Sequence, residues 1–132
     1  MDMAQLGFND EHMLAGLKPW VLCESPSYDP AAVNRMQDIA AHDLAVMGAP
    51  IERIPVHSSI GDCIRARFAH PQSDQPGLLI IGHMDTVHPL GTLNQLPFKR
   101  EGNRCYCPVI CVMKGGNYLA LEAIRQLQKA GL

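Results

Sequence analysis

The spacing of apolar residues predicts two helices in the first third of the chain. Asn9 begins the first helix and Asp29 followed by Pro30 begins the second, because these residue types cap or open helices. Gly48 is expected to end the second helix. Pro19 lies within the first helix and is expected to kink or shorten it, at a cost of about 3 kcal/mol in a helix interior. The apolar stripes are Met13, Leu14, Leu17, Trp20 and Val21, then Val33, Met36, Ile39 or Ala40, Leu44 and Met47.

Strand patterns follow in the middle of the chain. Residues 51–56 predict a short strand, and residues 63–69 alternate apolar and basic positions as in a half-exposed edge strand. The aliphatic run of residues 78–81 predicts a central strand buried on both faces, as in a parallel sheet. The last element is a helix entered through residues 114–116 and ended by Gly131. Its predicted buried face is Tyr118, Leu121, Ile124 and Leu127.

This order of helices and strands predicts an α/β fold, with a mainly parallel or mixed sheet flanked by helices. We expect residues 1–132 to form a single, incomplete domain. Too few helices follow the predicted central strand to cover both faces of its sheet. Such a layout leaves an exposed strand edge or apolar face, and we expect the chain to form a homo-oligomer through it.

Composition restricts the class of protein. Of the 132 residues, 47% are hydrophobic and 18% are charged, which is typical of a globular protein. The net charge of −2 and the lack of a basic run argue against nucleic acid or an anionic membrane as partner. Asp2 stands where a signal peptide needs positive charge. We therefore expect a cytoplasmic chain whose five cysteines are free thiols.

Candidate chemistry follows the predicted central strand. His83 and Asp85 come directly after it, where open α/β sheets usually bind their ligands. Imidazole is a common zinc ligand, and a carboxylate two residues on can accept the other ring N–H and orient the ring. The alternative is a capping aspartate beside a structural histidine. These two residues alone favour the second interpretation and do not establish a metal site.

A longer series of motifs does separate the two interpretations. The segments Gly82–Pro89, Leu96–Phe98, Arg100–Gly102 and Met113–Gly116, with Arg104 and Tyr106, resemble the dinuclear zinc exopeptidases and amidohydrolases. Glutamate carboxypeptidases, acetylornithine deacetylases and succinyl-diaminopimelate desuccinylases are members of that family. Segments Glu24–Ser27 and Gly48–Arg53 also resemble the glutamate carboxypeptidase subgroup. The resemblance implies zinc-dependent hydrolysis of the amide bond of a peptide or an N-acyl amino acid.

The resemblance implies roles for only two residues present here. His83 matches the first zinc ligand, and Asp85 matches the catalytic-site acid that orients this histidine and tunes the metal-bound water. Val112 stands where the family has the aspartate that bridges two zinc ions. Cys107 and Val109 stand where the family has glycines, so the loop is strained if those positions need positive φ. The chain also ends before the general-base glutamate, and we expect it to be inactive by the family mechanism.

Other side chains offer a second hypothesis. Cys105, Cys107 and Cys111 could make a soft-metal or redox site in a small non-enzymatic protein, although their spacing matches no standard zinc ribbon. His88 could be an additional ligand, or a surface or second-sphere group. Lys114 with two glycines could cradle phosphate, but close backbone packing at a helix start is the favoured interpretation. We favour the hydrolase-derived hypothesis, with at most a weak zinc site.

Overall fold

Helix caps place the first two helices where the sequence predicts them. The computed structural model describes residues 6–57 and 59–131; residues 1–5, with the predicted non-signal N-terminus, and residues 58 and 132 lie outside this description. Helix α1 spans Asp10–Leu22, and its cap Asn9 accepts a hydrogen bond from the His12 N–H. Helix α2 spans Pro30–Val46, and Asp29 accepts from the Ala32 N–H. Both predicted N-termini are confirmed.

The ends of these helices follow local backbone chemistry. Helix α1 continues through Pro19 to Leu22, so the proline does not shorten it, and the Cys23 N–H reaches the Pro19 carbonyl. Gly48 follows α2 with φ of 88°, the left-handed conformation that glycine adopts without a steric penalty. The prediction of Gly48 as the end of α2 is therefore confirmed.

Strands form two small antiparallel pairs. Strand β1, Ile51–Ile54, pairs with β2, Cys63–Ala66, and this hairpin packs against α2. Strand β3, Lys99–Glu101, pairs with β4, Arg104–Tyr106, around a turn that the sequence did not identify as a hairpin. Between them lies the short helix α3, Thr92–Gln95. With the last helix, α4, Met113–Lys129, these elements confirm a partial α/β arrangement. The mainly parallel or mixed sheet that was expected is not found among the described residues, since both sheets are antiparallel.

The predicted central strand is wrong. Residues 78–81 are assigned to no strand, and Leu78, Leu79, Ile80 and Ile81 are 89, 79, 49 and 81% exposed. An extended segment becomes a stable strand only when neighbouring strands take up its backbone N–H and C=O groups. No described strand lies beside this segment. Its parallel pairing is limited to one bridge further on, between Pro26 and Thr86.

The core lies between the long helices. Trp20 of α1 and Tyr118 of α4 meet edge to face, with ring centroids 5.3 Å apart. The Trp20 indole N–H donates to Asp43 on α2 at 2.7 Å, so a polar group at the centre of the core is satisfied. Met36, Ala40 and Leu121 complete this buried cluster. The helices, rather than a sheet, therefore supply the main core.

The buried face of α4 differs from the predicted one. Tyr118 and Leu121 are buried as expected, but Ile124 is half-buried and Leu127 is exposed. Glu122 and Gln126 are buried instead; the Gln126 amide donates to Glu122, and Arg125 also pairs with that carboxylate. Because these polar groups satisfy one another, a charged face can be buried where an apolar one was predicted.

Candidate metal centre

His83 and Asp85 lie in an extended segment that other parts of the chain hold in place. The Thr86 N–H donates to the Ser25 carbonyl at 2.8 Å, and the Ser27 N–H donates to the Thr86 carbonyl at 2.9 Å. On the other side, the Asn117 amide of α4 donates to the His83 carbonyl at 2.8 Å. The loop between α1 and α2, together with the first turns of α4, thus replaces the expected sheet as support for the site.

The two predicted residues contact each other. His83 Nδ1 lies 3.1 Å from the Asp85 carboxylate oxygen Oδ1 and also 3.1 Å from the Asp85 backbone carbonyl oxygen. Neither a carbonyl nor an ionised carboxylate can donate, so Nδ1 carries the proton in both contacts. The second ring nitrogen, Nε2, then keeps its lone pair. This is the geometry in which a carboxylate orients a histidine toward a metal or a proton donor.

The Asp85 carboxyl is ionised in this setting. Partial burial alone would raise its pKa, but hydrogen bonds from Ser27, from its own backbone N–H and from His83 outweigh that effect. Together they hold the pKa of Asp85 below its ordinary value. An ionised carboxylate is the form that accepts the His83 ring N–H.

A shallow cleft of about 140 Å³ lies beside these residues. His83, Asp85 and His88 contribute to its lining, as do Val112 and Lys114. The structure therefore brings the predicted ligand, its orienting acid and the second histidine to one cavity. Val112 also lies there, at the N-terminal cap position of α4, and its side chain is exposed.

The lining does not suit two zinc ions. A bridging position between two cations needs an anionic ligand, and the isopropyl group of Val112 has no lone pair. Lys114, a cationic residue that offers no metal-binding lone pair while protonated, also contributes to the same lining. In the parts of the chain that the structure describes, no group of three or more His, Cys, Asp or Glu side chains is arranged to hold a metal ion.

Lys114 makes a structural hydrogen bond. Its ammonium is buried and donates to the Cys23 carbonyl, just beyond the end of α1, at 2.6 Å. Burial lowers the pKa of Lys114, although negative charge on Cys23 and Cys107, where they ionise, and on Glu24 favours its charged form. The next residue, Gly115, lies so close to the Ile110 carbonyl that a β-carbon would come within 2.1 Å of its oxygen. Close packing at the helix start, not a phosphate cradle, is thus the role the structure favours.

The sequence predicts backbone strain at Cys107 and Val109 in the loop before α4, and the structure shows it at one of them. Val109 has φ of 62°, in the left-handed region that costs a β-branched residue most, whereas Cys107 does not. The Cys107 sulfur instead lies 3.8 Å from the Val21 carbonyl, and Cys111 is exposed. Burial raises the pKa of the Cys107 thiol, with Lys114 opposing the shift, so it is protonated at neutral pH.

Sequence comparison shows that the segment containing this site is similar to peptidases. Residues 79–132, which contain His83, Asp85 and Val112, match the family model described as Peptidase family M20/M25/M40. A relative, Carboxypeptidase G2 from Pseudomonas sp. (strain RS-16), is 42% identical over 55 residues, which is 42% of this chain. The aligned stretch is 13% of that protein's length. The resemblance drawn from the motifs is therefore confirmed for this segment.

Ser27 and Asn117 are site residues that the sequence analysis missed. Ser27 lay in a segment that carried part of the resemblance but was given no role at the site, and Asn117 lay in a helix of which only the apolar face was considered. The serines on either side of Pro26 were the available signal, since serine hydroxyls in turns and loops often hydrogen-bond to backbone groups. Over the described residues, no helix is both long and apolar enough to cross a membrane.

Proposed function

We propose that this chain carries part of the metal-binding cleft of a carboxypeptidase-like zinc hydrolase and keeps a single weak zinc site at His83. Members of the family that the motifs resemble cleave the amide bond of a peptide or an N-acyl amino acid. The observation that carries the proposal is the composition of the cleft, which holds an oriented histidine but has Val112 in its lining. By itself the chain does not hydrolyse amides through two zinc ions.

The zinc proposal rests on the orientation of His83. With Nδ1 donating to Asp85, Nε2 is the ring nitrogen that is free to bind zinc. One imidazole supplies too few donors for a tight site, because structural and catalytic zinc ions take at least three protein ligands. We therefore expect weak binding that depends on His83.

Zinc titration of four proteins tests this proposal. We expect His83→Ala to weaken zinc binding about tenfold or more relative to the unaltered chain. Val112→Asp is expected to tighten binding, since it returns a carboxylate to the cleft. Val46→Asp is the matched control, because Val46 is exposed to a similar degree, 74% against 65%, but does not line the cleft. Its affinity should equal that of the unaltered chain.

Two outcomes contradict the proposal. Equal and negligible binding by the unaltered chain and His83→Ala would show that no zinc site exists at this histidine. Equal binding by Val112→Asp and Val46→Asp would show that the missing carboxylate does not limit zinc affinity.

The alternative function, a metal or redox site at Cys105, Cys107 and Cys111, has less support. Cys107 is half-buried, and burial raises the pKa of its thiol, which disfavours the thiolate form that binds metal. Alkylation of the three thiols with and without zinc tests this alternative, and protection by zinc would favour it.

All five cysteines are free, which supports our proposal of a cytoplasmic location.

We also propose that the chain self-associates through residues 78–81. Burying one such side chain fully contributes roughly 1.5–3 kcal/mol, and the exposed fractions here amount to about three full side chains in each copy. Association costs ~4–15 kcal/mol, so the expected dimer is weak and forms at micromolar concentration. Antiparallel pairing of the segment with a second copy would satisfy its backbone groups.

Sedimentation velocity across the micromolar range tests the self-association. Ile80→Lys should shift the chain to monomer, because a buried lysine within the paired segment is costly. Val46→Lys is the control at an exposed apolar position elsewhere. A monomeric sedimentation coefficient for the unaltered chain throughout this range would contradict the proposal.

A further inference from the structure

A set of hydrogen bonds joins the loop of residues 25–27 to residues 84–86. Besides the two backbone bonds of the parallel bridge, the Ser25 hydroxyl donates to the Met84 carbonyl at 2.7 Å. The Ser27 hydroxyl lies within hydrogen-bond distance of both the Thr86 carbonyl, at 3.2 Å, and Asp85 Oδ2, at 2.5 Å. Ser25 is fully buried and Thr86 nearly so.

Ser27 differs from Ser25 in the group to which its hydroxyl hydrogen-bonds. Ser25 reaches only a backbone carbonyl, whereas Ser27 reaches the carboxylate that accepts the His83 ring N–H. The two oxygens of Asp85 are thus used separately, Oδ2 by Ser27 and Oδ1 by His83. Because Asp85 is partly exposed, its side chain could otherwise turn toward water and leave the imidazole.

We propose that Ser27 is a positioning residue which holds the Asp85 carboxylate on His83 Nδ1 and thereby presents the Nε2 lone pair to the cleft. The proposal deepens the proposed zinc role of His83, but it stands on hydrogen bonds that exist without a metal. Ser27 lies 56 residues before His83 in the chain, and the bridge at Pro26 and Thr86 brings the two together.

Nitrogen-15 NMR of the imidazoles, without metal and at one pH where they are neutral, tests the proposal. In the unaltered chain we expect His83 to be the Nδ1–H tautomer by roughly tenfold or more, as a charge-assisted hydrogen bond provides. Ser27→Ala should bring the two tautomers to comparable populations, and Ser27→Thr should restore the preference. Ser25→Ala is the matched control: it removes a hydroxyl from the same set of bonds but leaves the carboxylate held.

Asp85→Ala measures how much the backbone carbonyl of Asp85 contributes, since that oxygen is equally close to Nδ1. If this variant keeps the tenfold preference, the carbonyl alone sets the tautomer and the proposal is wrong. The same conclusion follows if Ser27→Ala keeps it, or if Ser25→Ala loses it to the same extent as Ser27→Ala. Asp85→Ala alters a partly exposed side chain, so it provides a result even where a serine variant unfolds.

The tautomer measurement and the zinc titration fail independently. A chain that binds no zinc but keeps a Ser27-dependent tautomer would refute the proposed function and support the positioning role. A chain that binds zinc through His83, but whose His83 tautomer does not change when Ser27 is replaced, would support the proposed function and refute the positioning role.

Discussion

The backbone strain at Val109 can be measured by comparing two variants that lose nearly the same side chain. Its φ of 62° lies in the left-handed region, where a residue with a β-carbon is destabilised by about 1–2 kcal/mol. Replacing Val109 with alanine or with glycine removes the same two γ-methyl groups of a half-buried side chain. The two variants therefore differ only in whether residue 109 carries a β-carbon.

At an ordinary position alanine is more stable than glycine by about 0.4–1 kcal/mol, because glycine gives the unfolded chain more freedom. At position 109 the left-handed penalty on alanine exceeds this amount. We expect Val109→Gly to be more stable than Val109→Ala by roughly 1 kcal/mol, or about 3–6 °C in melting temperature for a chain of this size.

Urea unfolding followed by the fluorescence of the buried Trp20 measures this difference. Cys111 is the control position in the same loop: it is exposed, and among the described non-glycine residues Val109 alone has positive φ. Cys111→Ala should be more stable than Cys111→Gly, the reverse of the order at Val109. Equal stability of the two Val109 variants, or a more stable alanine variant, would refute the assignment of strain to this residue.

Three further predictions concern how the elements are joined. Gly115→Ala should destabilise the chain by about 1–3 kcal/mol, because its β-carbon would collide with the Ile110 carbonyl, whereas Gly116→Ala meets open space and should be neutral or stabilising in thermal unfolding. Backbone hydrogen bonds from the α3 region lower the pKa of Glu24 from 4.5; its contribution to stability is present above that value and is lost as pH falls through the lower folded pKa. The stability difference between the unaltered chain and Glu24→Gln should therefore shrink on acidification, and a constant difference in urea midpoint between pH 6 and pH 3 would count against this role. Trp20→Phe should cost about 1–3 kcal/mol in circular-dichroism melts, since it leaves the Asp43 carboxylate without its donor and weakens the contact with Tyr118; an unchanged melting temperature would show that this bond contributes nothing.

Local signals in the sequence determined the helices. Asn9 and Asp29 begin α1 and α2 because a capping side chain bonds to an N–H only three residues away. Gly48 ends α2 because its own backbone allows positive φ. The motif resemblance likewise identified His83, Asp85 and Val112, and all three lie in one cleft. Contacts over such short separations, and the identity of each side chain, are contained in the sequence itself.

Tertiary structure decided the rest. Residues 78–81 have the composition of a buried strand, but burial and pairing depend on neighbours far along the chain, and the described residues provide none. The buried face of α4 includes Glu122 and Gln126 because polar partners satisfy them, which apolar periodicity cannot reveal. The support of the site by Ser27 and Asn117 arises from contacts across 58 and 34 residues. Only the folded chain sets such long-range contacts, because their partners are chosen by packing and not by sequence neighbours.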